Sequence, residues 1–232
     1  MAPTMFAGDD LACLRGPRLL FAGLSFALEP GGALLLTGPN GSGKSSLLRL
    51  MAGLLAPFAG RLTWNGEPVA DAVDEHRARL DYLGYQDAVK PALSVAENLA
   101  FWAALADPHE APTRARIALD EIGLAGLADL PGRYLSSGQR RRLAIARILV
   151  GGAPIWLLDE PTTALDTDGV ERLGRALARH RDGGGMVVAA THGDLPLPGS
   201  HTLRIADHAP PADVLLADAL PAGVPPGAEG RA

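Results

Sequence analysis

Gly38-Pro39-Asn40-Gly41-Ser42-Gly43-Lys44-Ser45 fits the pattern G-x-x-x-x-G-K-[ST] and stands between two segments of different periodicity. Before it, Ala33-Leu34-Leu35-Leu36-Thr37 is a short unbroken apolar run, as expected of a strand buried on both faces. After it, Leu47, Leu48, Met51, Leu54 and Leu55 recur at helical spacing, and Gly53 is placed to stop the helix. Glycines at 38, 41 and 43 let the backbone curl with its N–H groups pointing inward, and that positive nest adds to the N-terminus of the helix. A polyphosphate suits such a nest: Lys44 reaches its β and γ phosphates, and Ser45 offers a hydroxyl oxygen to Mg2+. A glycine-rich turn that binds nothing would not need a strand before it and a helix after it.

Carboxylates that could serve this loop stand at the end of a second apolar run, Pro154-Ile155-Trp156-Leu157-Leu158-Asp159, followed at once by Glu160-Pro161. Asp159 can sit beside Mg2+ through its water shell, while Glu160, at the strand exit, can orient or deprotonate an attacking water. Two acids at a strand end could also simply meet solvent, and the phosphate loop upstream is what favours the chemical reading.

Composition bounds the rest. The 232 residues hold one sizeable core, and 47% hydrophobic with 20% charged residues excludes a mainly disordered chain. A net charge of -5 argues against electrostatic wrapping of nucleic acid. The lone Cys13 allows no internal disulfide, which fits a reducing compartment. Met1 to Leu20 lacks the basic and apolar regions of a secretory signal, and no apolar run approaches the roughly 20 residues that span a bilayer. The expectation is a cytosolic chain whose membrane role, if any, comes through a partner.

Further along, Leu24, Phe26 and Leu28 alternate with polar or small neighbours, as in a strand with one buried face, and an antiparallel hairpin is expected to lead in. Leu62 and Trp64 before Asn65-Gly66 read as strand and turn, and Leu80 to Tyr85 as a strand ending near Gln86. Ser94-Val95-Ala96-Glu97 is a capping box that opens a helix carrying Leu99, Phe101, Trp102 and Leu105. Packing in the core is the expected place of Phe101 and Trp102, a partner-facing role the alternative. Helices are also expected over about Thr113–Ile122, Gln139–Val150 and Thr167–His180, and Met186–Thr191 is expected to be the last strand of the core.

Leu135-Ser136-Ser137-Gly138-Gln139 ends 20 residues before Asp159 and opens one of these helices. With the loop, Gln86, the Asp159-Glu160 pair, Ala164-Leu165-Asp166 and His192, six motifs stand in one order, and over about residues 10 to 205 the chain resembles the ATP-binding-cassette ATPase family. The resemblance implies an α/β fold: a P-loop NTPase core with a mostly parallel sheet, an N-terminal antiparallel β part and an inserted helical subdomain. It places a single domain over 1–205, with its core in 1–86 and 137–205 and the helical part over about 87–136, followed by an Ala/Pro/Gly-rich tail over 206–232 whose final part is expected to be mobile.

The resemblance also implies ATP hydrolysis to ADP and phosphate with Mg2+. ATP is then held by Gly38, Pro39, Asn40, Gly41, Ser42, Gly43, Lys44, Ser45 and Ser46, with Gln86 and, across a head-to-tail dimer, Ser136, Ser137, Gly138, Gln139 and Asp166. Mg2+ falls to Ser45, Gln86 and Asp159, and catalysis to Glu160 and His192. Taken singly, Gln86 could be an exposed strand-end amide, Ser136 and Gly138 a helix cap, and His192 a surface histidine.

Within the family, Gly23-Leu24-Ser25-Phe26, Gly84 to Lys90, Glu97 to Phe101 and Thr163 to Val170 are similar to the ATP-binding subunits of haem exporters in bacterial cytochrome c maturation. That implies integral membrane permease subunits as partners, an ATP-dependent dimer, no nucleic acid, and a peripheral place on the cytoplasmic face of the inner membrane. The alternatives are an exporter of other cargo, a soluble ATPase of iron–sulfur assembly or cell division, and a nucleotide-gated module that hardly turns over. Two departures stand out: Ser137 occupies a position that is glycine in the family, and Leu14-Arg15-Gly16-Pro17-Arg18 offers no aromatic for adenine, which leaves Arg15 or Arg18 to stack on the base.

Overall fold

A computed structural model of the chain describes residues 5–210. In chain order it forms β1 (Phe6–Arg15), β2 (Arg18–Leu28), β3 (Ala33–Thr37), α1 (Lys44–Met51), β4 (Ala59–Trp64), β5 (Glu67–Pro68), α2 (Val73–Ala78) and β6 (Leu80–Leu83). It continues through α3 (Val95–Ala106), α4 (Ala111–Glu121), α5 (Ser137–Gly151), β7 (Ile155–Asp159), α6 (Thr167–Asp182), β8 (Met186–Ala190) and β9 (His201–Arg204). One sheet is antiparallel in the order β2-β1-β4-β5, and the other has the order β6-β7-β8-β3-β9 with parallel pairings throughout.

The central parallel strands read as continuous apolar runs because both of their faces are covered. Side chains alternate between two cores: Ile155 and Leu157 of β7, Met186 and Val188 of β8, and Leu34 and Leu36 of β3 enter one, with α1 and the antiparallel sheet. Trp156 and Leu158, Val187 and Ala189, and Ala33 enter the other, with α3, α4, α5 and α6. Each fully buried Leu or Val contributes roughly 1.5–3 kcal/mol of transfer free energy, so this sheet anchors the molecule.

The expected helices fall where their periodicity puts them, each shifted by one or two residues at its ends. The strand expected over Leu80 to Tyr85 ends at Leu83, α2 has no counterpart in the sequence reading, and two further features differ from it. Met186–Ala190 is not the last strand of the core, because β9 adds to the far side of β3. Of its four residues His201, Thr202 and Arg204 are exposed, so an edge strand held by backbone pairing gives no apolar pattern to read. Phe101 is 52% exposed, whereas Trp102 packs against the core beneath the Arg147 guanidinium, 4.9 Å from its ring centroid. Beyond β9, residues 205–208 form a 3-10 turn in which Ile205 is buried, while Ala206 and Asp207, at the start of the expected tail, are exposed; residues 211–232 of that tail lie outside the described residues.

Candidate active site

Strands β7, β8 and β3 are consecutive neighbours, and their C-terminal ends open on one edge of the sheet, where ligands of open α/β folds bind. From β3 the chain enters the glycine loop and α1, from β7 it reaches Asp159 and Glu160, and from β8 it reaches Thr191 and His192. Gly43 stands just ahead of α1 with φ of 106°, and a Cβ there would come within 3.0 Å of Phe21, so only glycine fits without strain.

Lys44, the first residue of α1, is buried, and its Nζ donates to Gly38 O at 2.8 Å and Pro39 O at 3.1 Å. The third partner is His192 Nε2 at 3.0 Å. An ammonium has only protons to offer, so this imidazole nitrogen accepts and the ring proton resides on Nδ1. One residue on, Ser45 Oγ donates to Asp159 Oδ1 at 3.0 Å, and Asp159 is 4% exposed. Glu160 adopts a left-handed φ of 48°, held by its N–H donating to Ala190 O at 2.8 Å. Non-glycine residues in that region concentrate at functional sites. Its carboxylate accepts the backbone N–H of His192 at 3.2 Å and lies 3.6 Å from His192 Nε2.

Lys44, Ser45, Asp159, Glu160 and His192 are thus brought together, with Gly38 to Gly43 wrapped around the lysine and Ser46 half-buried in α1. Pro39, Asn40 and Gly41 stay exposed at the mouth of the loop, and the Ser42 hydroxyl is buried without a partner.

A second group forms apart from the first. Ser136 caps α5, accepting from Gln139 N at 3.2 Å while Gln139 Oε1 accepts from Ser136 N at 2.9 Å. The helix therefore starts at Ser137, two residues before the start expected. Asp166 caps α6 through Gly169 N at 2.9 Å and pairs with Arg142, and that arginine also binds Asp168 at 3.0 Å. Both helix ends line one cavity of about 450 Å³ with Ser136, Ser137, Gly138, Gln139, Arg142 and Asp166. A Cβ on Gly138 would come within 2.8 Å of Ala164 O, whereas Ser137 is exposed and has room for its side chain. Gln86 is exposed in the bend after β6 and makes no hydrogen bond to either group among the described residues.

Sequence reasoning missed Arg141. Among three successive arginines it alone is almost wholly buried, 3% exposed, and its guanidinium reaches the carbonyls of both Asp159 and Glu160 at 2.7 Å. The signal was present: Arg141 falls on the same helical face as the buried Ile145 and Ile148, where a charge has to be fully paired.

A glycine loop after one strand, an acid pair on a nearby parallel strand and a glycine-bearing helix start make up the arrangement expected of a cassette protein. Residues 21–163 match the ABC transporter family, and the chain belongs to that family. It is similar to the cytochrome c biogenesis ATP-binding export protein CcmA of Rhodospirillum rubrum, with 57% identity over 90% of this chain and 89% of that one. The protein of the same name from Paramagnetospirillum magneticum is 56% identical over 88% of this chain and 95% of its own. Among solved structures, the ATP-binding subunit of an ABC transporter shares the fold at a TM-score of 0.74 and 23% identity, covering 81% of this chain and 79% of that one. An ATP-binding cassette solved as a dimer in a post-hydrolysis state with ADP and phosphate matches at a TM-score of 0.72 and 26% identity, covering 81% of this chain and 88% of that one.

Proposed function

We propose that this chain is the ATP-hydrolysing subunit of an ABC transporter that drives export of haem, or release of a haem carrier, during cytochrome c biogenesis. The observation that carries the reading is the convergence of Lys44, Ser45, Asp159, Glu160 and His192 from three neighbouring strand ends. The cytochrome c role rests on the similarity to the CcmA proteins.

In the first step, the backbone N–H groups of Gly38 and of residues 40–46, together with the Lys44 ammonium, take the β and γ phosphates; Pro39 has no N–H to offer. Lys44 already sits among acceptors, so phosphate oxygens replace partners it holds and need no new side-chain position. Ser45 and Asp159 supply hard oxygens side by side, a donor set that fits Mg2+, with Gln86 joining from its bend; the ion would neutralise charge on the phosphates. Glu160 accepts a proton from water as its oxygen bonds to the γ-phosphorus, the bond to the β–γ bridging oxygen breaks, and ADP leaves. His192, hydrogen-bonded to both Lys44 and Glu160, positions the γ-phosphate against that water.

Ser136, Ser137, Gly138, Gln139 and Asp166 lie in a cavity of their own, and a second chain related head to tail would bring its copy of them to the ATP held here. Two ATPs bridging such an interface could supply the roughly 5.5 kcal/mol that moves a two-state equilibrium from 1:99 to 99:1. The helical segment over about 87–136 would act as the subdomain that carries this change outward. On α3, Phe101 is 52% exposed, and Leu105, 67% exposed, lines a groove of about 460 Å³ with Leu54, Tyr82 and Trp102, a surface suited to the permease subunits. Among the described residues no helix is long and apolar enough to cross a membrane, and a peripheral place on the cytoplasmic face follows from those partners. Calorimetric titration of the pure chain with ATP and Mg2+ tests the nucleotide reading: saturable binding is expected, and no heat on a folded sample would dismiss it. Co-purification with integral membrane proteins of cytochrome assembly tests the cytochrome reading, and recovery in the soluble fraction with cell-division or iron–sulfur proteins would overturn it.

A further inference from the structure

We propose that Arg141 is the positioning residue that fastens Glu160 to the segment after β6, so that displacement of that segment resets the geometry of hydrolysis; this rests on the ATPase reading above. One buried guanidinium makes all the connections. Its two terminal nitrogens and Nε donate to Asp159 O at 2.7 Å, Glu160 O at 2.7 Å, Pro161 O at 3.3 Å and Gly84 O at 3.0 Å. The fifth acceptor is the Asp87 carboxylate at 3.1 Å, next in chain to Gln86 and 26% exposed.

Three consecutive carbonyls at the exit of β7 thus share a donor, and the middle one belongs to the residue with the left-handed backbone. A peptide in that conformation persists only where its surroundings over-determine it, and here the Ala190 carbonyl holds its N–H while Arg141 holds its C=O. A guanidinium is a rigid planar fork, so the acceptors on its two sides cannot move independently without breaking charge-assisted hydrogen bonds. Gly84 and Asp87 stand on one side and residues 159–161 on the other. A shift of the 84–87 segment therefore pulls on the peptide that aims the Glu160 carboxylate, at a site where misplacement by an ångström costs rate.

The test compares the full chain with Arg141→Gln, Arg141→Lys, Asp87→Ala and Arg141→Gln/Asp87→Ala, measuring phosphate release per folded molecule, ATP affinity and melting temperature. For Arg141→Gln, kcat falls about ten- to a hundredfold with the ATP dissociation constant within about threefold of the parent. Arg141→Lys recovers part of the rate, because an ammonium serves at most three of the five acceptors. Asp87→Ala loses roughly two- to fivefold, and the double variant is no slower than Arg141→Gln, as two changes to one connection require. A merely structural arginine would lower the melting temperature and leave kcat per folded molecule at the parent value, and that result overturns the proposal. Independent, multiplying losses in the double variant overturn it as well. If Arg141→Gln does not fold, Asp87→Ala decides: an unchanged kcat refutes the connection. A parent that releases no phosphate removes the ATPase reading itself, whereas a hydrolysing parent with indifferent variants removes this inference alone.

Discussion

Lys44 and His192 are 148 residues apart in sequence and their side-chain nitrogens are 3.0 Å apart in space. The lysine opens the helix after β3 and the histidine follows β8, the strand paired with β3, so the contact is a product of strand order. Because Lys44 keeps Gly38 O and Pro39 O when the imidazole is lost, His192→Ala is expected to leave ATP affinity within about threefold. Turnover should fall by roughly 100- to 1,000-fold, the range for removing one group that stabilises a transition state. Parallel losses of affinity and turnover would instead assign His192 to ground-state binding.

How far the sequence reaches is visible in these residues. The loop, the acid pair and the continuous apolar strands could be located because each couples a local pattern to a local backbone requirement, and the motif order then joined them. The burial of Arg141 is legible in its helical face, but its partners are not, since its five acceptors come from two distant segments. Nor did β9 show in the sequence, because an exposed edge strand is specified by what it pairs with. The α2 helix escaped for a similar reason: it has six residues, and its one buried side chain is His76.

Acid should remove the stability contributed by two buried histidines from about pH 6.5 downward. Burial holds His76 below the usual imidazole range, against the Met51 carbonyl that its Nε2 contacts at 2.7 Å, and Nδ1 is buried with no acceptor for a second proton. Burial likewise lowers His180, which stacks on Trp156 with ring centroids 3.8 Å apart. In both cases the unfolded chain binds the proton more readily, so their contribution is complete above the unfolded value and shrinks as pH falls toward the folded one, by up to about 1.4 kcal/mol per pH unit for each histidine. Urea midpoints that rise between pH 7 and pH 5.5 in the parent and in a variant lacking Asp81 would refute this.

Asp81 works in the opposite direction. Burial raises its carboxyl to about 6, outweighing the Ala153 N–H and the charges of Arg147 and Arg114. A raised acid makes the ionised form a cost above that value, so Asp81→Asn is expected to stabilise the fold by about 1–2 kcal/mol at pH 7.5, the gain fading as pH drops through 6 toward 4. Equilibrium urea unfolding at the two pH values measures it, and a loss at pH 7.5 would mean that the arginines dominate.

Gly138→Ala places a methyl group against Ala164 O, a backbone atom that moves only with the turn ahead of Asp166. ATP binding by the separate chain should stay within about twofold, while phosphate release drops by roughly tenfold or more if the displaced turn belongs, as proposed, to a half-site that faces a second chain. Equal hydrolysis by parent and variant would show that this close packing has no part in assembling the site.

Phosphate release by Glu160→Gln, measured beside the parent at saturating ATP and Mg2+, bears most directly on the whole account. The amide keeps the size of the side chain and an oxygen to accept the His192 N–H, but it cannot take a proton from water. The variant is expected to bind ATP as tightly as the parent, to release phosphate at least about a hundredfold more slowly, and to accumulate as a dimer. Hydrolysis at the parent rate would contradict the assignment of Glu160 as the base and the site built around it.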